Sequence, residues 1–172
     1  MFELHQTFHE NYVEFFTYFN GNEDYFECHE VFEELWKEVA PGQKEHVLVG
    51  FILIATGLYH WRRGNMAGAT RSIEKGIRIV EVAEPCEYTA YLDLTQFLTK
   101  SKEAFAAIQK GQPFQPFKII LTNERLAQLV AEQIASLPAT DPHFIQHKHT
   151  LRDRSDVIAE RAKQLALKQR SL

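Results

Sequence analysis

The chain has 172 residues, a formal net charge of −4 and two cysteines. This length fits one domain whose core folds without disulfides, and Cys28 and Cys86 are too few for a disulfide framework. The N-terminal MFELHQTFHE lacks a basic region followed by an apolar core, which argues against a secretory signal. We therefore expect a cytoplasmic protein with reduced thiols.

The charge is unevenly distributed along the chain. Residues 1–40 carry ten acids and one base, a net charge of −9, whereas residues 148–172 carry seven bases and three acids, a net charge of +4. This asymmetry predicts that the basic C-terminal helix docks on the acidic N-terminal helices, in the same subunit or a neighbouring one. Nucleic-acid binding is disfavoured, because a basic patch on an acidic protein is usually solvated or matched internally.

Hydrophobic periodicity predicts two amphipathic helices in the acidic region. The first covers Phe2–Phe19 and is broken at Asn20-Gly21-Asn22; the second runs from about Asp24 to Val39 and stops at Pro41-Gly42. Phe26 lies among acids on the second helix, which indicates that part of the acidic face is covered. The predicted core face of that helix contains Tyr25, Cys28, Phe32, Leu35, Trp36 and Val39.

The most apolar stretch is Val47–Trp61, VLVGFILIATGLYHW. It is apolar on every side of a helical wheel, which predicts a central helix wrapped by others. A bilayer span needs about 20 apolar residues, so this shorter stretch, interrupted by Gly50, Thr56 and Gly57, predicts no membrane association.

The remaining chain predicts further helices and one linker. Gly111–Lys118 contains two prolines, and Phe117–Thr122 is an extended segment too isolated to form a sheet. We therefore expect an all-α bundle of about six to seven helices, with a helical core domain at residues 1–110, a linker at 111–122 and a C-terminal helical extension at 123–172 packed on the core. The later helices are predicted at Met66–Ala83, Glu87–Lys110, Asn123–Ser136 and from Asp141 almost to the C-terminus, with a break near Thr150–Ser155.

One local pattern resembles a tetratricopeptide helix pair. Gly57, Gly64 and Ala69, with Ile73 one turn on, match the small-residue spacing that lets two antiparallel helices approach closely. The match predicts close packing of the third and fourth helices. A single copy does not predict a peptide-binding array, which needs about three repeats.

The densest polar cluster lies on the second helix. His29 and Glu33 are four residues apart, so both side chains can reach one metal ion from the same face. The sequence His-Glu-x-x-Glu lacks the second imidazole of the His-Glu-x-x-His zinc peptidases, so that class is rejected. His60 is the best candidate for a further ligand. We favour the alternative that His29, Glu33 and His60 form a buried hydrogen-bonded network that fixes helix register.

Other chemical motifs are weaker. His143, His147 and His149 form a second cluster, but histidines beside Lys148 on a solvated helix are more often surface groups. The sequence contains no Gly-rich phosphate loop, G-x-S-x-G elbow or CxxC pair, so nucleotide and serine-hydrolase chemistry have no support.

Two linked blocks place aromatic, acidic, histidine, tryptophan and small residues at a characteristic spacing. They are Asn20…Tyr25-Phe26-Glu27-x-His29-Glu30-x-x-Glu33-x-x-Trp36 and Gly50…Ala55…Tyr59-His60…Gly64-Asn65-x-x-Gly68-Ala69. Over about Phe19–Gly76 the chain resembles the bacterial family called domain of unknown function 309, and residues after about 110 lie outside the resemblance.

The resemblance implies a small, all-helical cytoplasmic protein with no established activity. The family pattern leads us to expect a glutamine where this chain has Leu53, seven residues before His60 on the same helix face. A polar partner for His60 is therefore lost.

Three functional hypotheses follow. The leading one is a non-enzymatic binding or scaffold module without a cofactor, acting as a homo-oligomer or on a protein partner. The alternative is a metal-dependent hydrolase, in which His29, Glu33 and His60 hold a divalent ion and Glu30 or Glu33 acts as general base on bound water. The third is nucleic-acid binding through the basic C-terminal helix.

Overall fold

The described part of the chain is built from α-helices. The computed structural model describes residues 8–148, 162–163 and 165–167, which contain seven complete α-helices, one π-helical turn and no β-strand. The all-α prediction is confirmed. No helix within these ranges is long and apolar enough to cross a bilayer. The helices are α1 (Glu10–Thr17), α2 (Tyr25–Val39), α3 (Val47–Arg62), α4 (Met66–Val82), α5 (Leu94–Gln109), α6 (Glu124–Ser136) and α7 (Pro142–Gln146), and the π-helical turn is Tyr18–Asn22.

The central helix α3 is buried on most of its surface. It packs against α2 on one side and α4 on the other. One face, which we call the α3 stripe, is only half-buried and consists of Val49, Leu53, Thr56 and His60. These residues are three or four positions apart and therefore share one side of the helix. Among the described residues, the wrapping of α3 is thus incomplete along this stripe.

Glycines let α3 and α4 approach closely. A Cβ atom at Gly57 would overlap Cγ1 of Ile73, and a Cβ atom at Gly76 would lie 2.8 Å from the carbonyl oxygen of Gly50. The predicted close packing of the third and fourth helices is confirmed. The comparison with a tetratricopeptide pair stays a prediction.

Aromatic rings fill the space between α1, α2 and α3. Phe15 and Phe32 stack with ring centroids 3.9 Å apart. Phe51 meets both rings edge-on, and all three side chains are fully buried. Burying a phenylalanine side chain contributes about 1.5–3 kcal/mol, so this cluster is a main source of stability in the bundle.

The first helix is shorter than predicted, and its C-terminal end differs from the prediction. Residues 1–7 lie outside the described part, α1 ends at Thr17, and the chain continues through the π-helical turn instead of breaking at Asn20. The backbone N–H of Asp24 closes this turn on the carbonyl of Tyr18 at 3.1 Å. Glu23 then takes a left-handed conformation with φ 57° and directs the chain into α2.

Two further predictions on the helices need correction. α5 begins at Leu94 rather than at about Glu87, because the Asp93 side chain accepts from the N–H of Gln96 and caps the helix there. Val39, expected in the core, is 42% exposed because it lines a surface cavity at the end of α2. Trp36 is half-buried, and its indole N–H donates to the carbonyl of Gln43 at 2.9 Å.

The segment between α5 and α6 contains no helix and is held by a side chain of the π-helical turn. The Asn20 amide donates to the carbonyl of Ile119 at 2.9 Å and accepts from its N–H at 2.8 Å. An isolated antiparallel bridge joins Leu92 to Leu121. These contacts fix the extended segment against the helices without forming a sheet.

The C-terminal region is described in part. α6 begins after its predicted cap Asn123, and the Thr17 hydroxyl of α1 donates to the Gln133 side chain of α6 at 3.0 Å. α7 follows its predicted cap Asp141 but covers only Pro142–Gln146. The expected break at Thr150–Ser155 and the side chain of His149 lie outside the described residues. The division into core, linker and extension stays a prediction.

Candidate functional site

A small cavity opens to the surface between α2 and α3. It has a volume of ≈120 Å³, and its lining consists of aromatic rings, one threonine and two histidines. We call it the α2–α3 cavity. The structure thus brings His29 and His60 to one cavity, which the sequence left undecided. The lining residues are Tyr25, Phe26, His29, Thr56, Tyr59 and His60.

His29 belongs to a ladder of charged side chains along α2. Its Nε2 atom lies 3.0 Å from Glu33, its Nδ1 atom lies 3.5 Å from Glu30, and Glu33 also contacts Lys37 at 2.9 Å. Burial alone would raise the pKa of Glu33, but the nearby Lys37 ammonium and His29 imidazole outweigh it and lower this pKa. The ladder keeps Glu33 ionised, and its charge is already balanced by neighbours on the same helix.

The Nδ1 atom of His60 faces two N–H donors. It lies 3.1 Å from Nη2 of Arg63 and 3.3 Å from Nδ2 of Asn65. A guanidinium group can only donate, so this Nδ1 atom accepts, and a neutral His60 carries its proton on Nε2. A cation at Nδ1 would displace both donors and would be repelled by the guanidinium. This nitrogen is therefore unsuited to hold a metal ion.

Other candidate ligands and nucleophiles are dispersed or inaccessible. Within the described ranges, no group of three or more His, Cys, Asp or Glu side chains is placed to hold a metal ion. Burial raises the pKa of the Cys28 thiol well above its usual range, which makes it a poor nucleophile. His143 and His147 lie together with ring centroids 4.9 Å apart.

The residues Gly64-Asn65-x-x-Gly68 build the turn from α3 into α4. Gly64 takes φ 84°, a value that favours glycine, and the Asn65 side chain caps α4 by accepting from the N–H of Gly68 at 3.1 Å. A Cβ atom at Gly68 would lie 2.6 Å from the Asn65 amide nitrogen. Because the Asn65 oxygen is used in the cap, its amide N–H groups are directed to His60.

The Arg62 side chain lies among aromatic rings next to the α2–α3 cavity. The Arg62 guanidinium stands 4.9 Å from the ring centroid of Tyr25 and 5.6 Å from that of Phe114. It donates to the carbonyl of Glu23 at 2.8 Å, while its Nε and Nη2 atoms are buried without a hydrogen-bond partner among the described residues. Burial lowers the pKa of Arg62.

The hydroxyl of Tyr25 provides a test of this environment. It is buried without a hydrogen-bond partner in the part of the chain that the structure describes, and such a group costs about 1–3 kcal/mol. We expect Tyr25→Phe to leave the free energy of unfolding unchanged or raise it by about 1 kcal/mol. Tyr12→Phe is the matched control, because the Tyr12 hydroxyl donates to the carbonyl of Tyr88 at 3.0 Å.

Urea denaturation of both variants gives the comparison. Tyr12→Phe should lose about 1 kcal/mol, and an equal loss in Tyr25→Phe would contradict the assignment. Burial raises the pKa of Tyr25 above the ordinary value of 10.0. The unfolded chain therefore releases this proton more readily than the folded protein does, and the free energy of unfolding of the parent falls as the pH rises above 10. Tyr25→Phe should lose less stability above pH 10 than the parent.

Three residues that the sequence analysis did not single out prove important here: Asp24, Arg62 and Lys148. Lys148 lies 2.9 Å from Asp24 and 2.7 Å from Glu27, with side chains that are 16%, 4% and 28% exposed. Burial alone would lower the pKa of Lys148, but the two carboxylates outweigh it and raise this pKa. Asp24 also caps α2 by accepting from the Glu27 N–H at 3.1 Å. One indication of a role for Asp24 was available from the sequence, which is its position just before the predicted second helix.

Comparison with known proteins identifies the family. Residues 12–72 match the family model described as domain of unknown function (DUF309). The chain is also similar to the uncharacterized protein YpuF of Bacillus subtilis (strain 168), with 33% identity over 167 residues, 93% of this chain and 96% of YpuF. The chain belongs to the DUF309 family. No solved structure matches it.

The DUF309 match covers nearly the stretch that the residue pattern indicated. The similarity to YpuF continues well beyond residue 110, where the pattern resemblance was expected to end. The stretch matched by the family model contains both walls of the α2–α3 cavity. Leu53, found where we expected glutamine, lies on the α3 stripe with His60, and its side chain adds apolar surface beside the cavity.

Proposed function

We propose that this DUF309 protein is a non-catalytic binding module that accepts an apolar side chain of a protein partner in the α2–α3 cavity. The observation that carries the proposal is the aromatic lining of this surface-open cavity. A cavity of about 150 Å³ lined by apolar side chains can hold benzene. A volume of ≈120 Å³ therefore suits one aliphatic side chain.

The surroundings of the cavity support a protein ligand. The α3 stripe continues from the cavity through Thr56 to Leu53 and Val49, so a partner helix could lie along it. Phe26 forms the α2 wall, with its ring centroid 5.7 Å from that of Tyr59. An apolar anchor in a pocket with polar residues around it is the usual arrangement of an interaction hot spot.

The polar residues near the cavity support binding rather than catalysis. Glu33 is paired with both His29 and Lys37. The Nδ1 atom of His60 accepts from neighbouring donors. We infer that these groups fix the cavity walls. Metal-dependent hydrolysis and nucleic-acid binding stay predictions, and a cytoplasmic location remains part of the proposal.

A cavity-filling substitution tests the proposal. Peptides selected from a random library against the parent protein should share an apolar residue, and Thr56→Tyr should weaken their binding more than tenfold, about 1.4 kcal/mol. Thr70→Tyr is the matched control. Both threonine hydroxyls donate to the carbonyl four residues earlier at 2.8 Å, but Thr70 lies on α4 and does not line the cavity.

The measurement is a fluorescence titration of each selected peptide, with thermal unfolding to show that both variants fold. Equal affinities of the parent and Thr56→Tyr would reject the proposal, as would a selection that yields no binding peptide. Light scattering of the parent and Thr56→Tyr proteins reports whether the partner is a second copy of the chain. If the partner is a second copy, the parent protein should be an oligomer and Thr56→Tyr should be a monomer.

A further inference from the structure

A second cavity, at the other end of α2, has a different chemistry. It has a volume of ≈270 Å³ and lies where the start of α1, the end of α2 and the segment before α5 meet. We call it the tyrosine pocket. Its residue Leu35 is ten positions from Tyr25 of the α2–α3 cavity, about 15 Å along the helix. The two cavities are therefore separate sites.

Four aromatic rings line the tyrosine pocket at different inclinations. Phe8 and Tyr12 are nearly parallel at 14°, with centroids 6.1 Å apart. Tyr91 is almost perpendicular to Phe8, at 87° and 5.1 Å. Tyr88 is tilted by 54° from Tyr12 at 6.2 Å. Four rings at these inclinations line one pocket, and aromatic ring faces favour a nearby positive charge.

Two acidic side chains lie at or near the pocket, together with the imidazole of His9. Glu87 lines the pocket, and Glu38 lies nearby, paired with His9 at 3.2 Å. The pKa of Tyr88 is raised mainly by burial and, to a smaller extent, by the Glu87 carboxylate. The second cause is consistent with negative charge beside the Tyr88 ring. Among the described residues, no lysine or arginine stands over the rings of Phe8, Tyr12 or Tyr88.

We propose that the tyrosine pocket binds a small molecule carrying a quaternary alkylammonium group. The methyl groups of such a cation spread its charge over an apolar surface and require no hydrogen bonds. They can therefore contact the rings and the apolar side chains of Leu35 and Val39 while Glu87 balances the charge. A bare ammonium would lose hydrogen bonds to water that this largely aromatic lining does not replace. A volume of ≈270 Å³ suits a ligand about the size of choline.

The test compares choline with its neutral isostere 3,3-dimethylbutan-1-ol by isothermal titration calorimetry and NMR. The two have the same shape but differ in charge, so a cation site should bind choline at least about tenfold more tightly, as expected for a partly desolvated cation–π contact. Tyr88→Leu should weaken choline binding about tenfold, and Glu87→Gln by a smaller factor that shrinks as salt is added.

Matched controls lie outside the pocket. Tyr18→Leu changes another half-buried tyrosine, and Glu84→Gln removes an exposed acid three residues from Glu87; both should leave choline binding unchanged. Thermal unfolding shows whether each variant is folded. Equal affinities for choline and the alcohol would overturn the proposal, because the pocket would then be apolar only. Absence of saturable choline binding to the parent protein would also overturn it.

Discussion

Gly57→Ala is expected to destabilise the protein by about 3 kcal/mol, although alanine is the better helix former by about 1 kcal/mol. The added methyl group would overlap the side chain of Ile73, and it would also lie 3.1 Å from the backbone nitrogen of that residue. The helices must therefore separate. Chemical denaturation followed by circular dichroism measures the change in the free energy of unfolding.

A double-mutant cycle identifies the cause. Ile73→Ala alone should cost about 2–5 kcal/mol, because it leaves a cavity at a fully buried position. In the double variant the new methyl group at position 57 partly fills that cavity. Gly57→Ala should therefore cost much less in the Ile73→Ala background than in the parent. Additive losses would show that the overlap between these two side chains does not cause the destabilisation.

Lys148→Met is expected to destabilise the protein by about 2–3 kcal/mol. Removing one partner of a buried ion pair costs about 3–5 kcal/mol, and the partial exposure of Lys148 and Glu27 reduces this figure. The loss arises because Asp24, whose side chain is 4% exposed, keeps its charge without the ammonium group. The free energy of unfolding in urea at neutral pH gives the comparison with the parent protein.

Lys37→Met is the control for the Lys148 substitution. Lys37 lies 2.9 Å from Glu33, as Lys148 lies 2.9 Å from Asp24, but its side chain is 65% exposed. An exposed pair contributes about 0–1 kcal/mol, so this variant should be close to the parent. Comparable losses in the two variants would argue against a special role for the buried pair.

The sequence predicts the elements of this fold better than their contacts. The apolar run of α3 and the break at Pro41-Gly42 are local signals, and the structure agrees with them. The left-handed residue Glu23 gives no such signal, because glutamate is not typical of that conformation. The break predicted at Asn20 was therefore in the right region, but the chain changes direction there through a π-helical turn and Glu23.

The candidate sites depend on packing that the sequence does not encode locally. The α2–α3 cavity exists because two helices cross at a particular angle, and the tyrosine pocket joins residues about 80 positions apart along the chain. Arginine is rarely buried, so nothing indicated the surroundings of Arg62. The charge asymmetry indicated attraction between the two ends of the chain, but it did not identify Lys148 and Asp24 as a pair.

The contact between Asn20 and Ile119 has a consequence for the evolution of the family. The Asn20 amide binds the backbone N–H and carbonyl of Ile119, so this contact does not depend on the side chain at position 119. The path of the linker can therefore persist while its sequence drifts. In DUF309 relatives that retain this asparagine, we expect linkers of different composition to follow the same course past the π-helical turn.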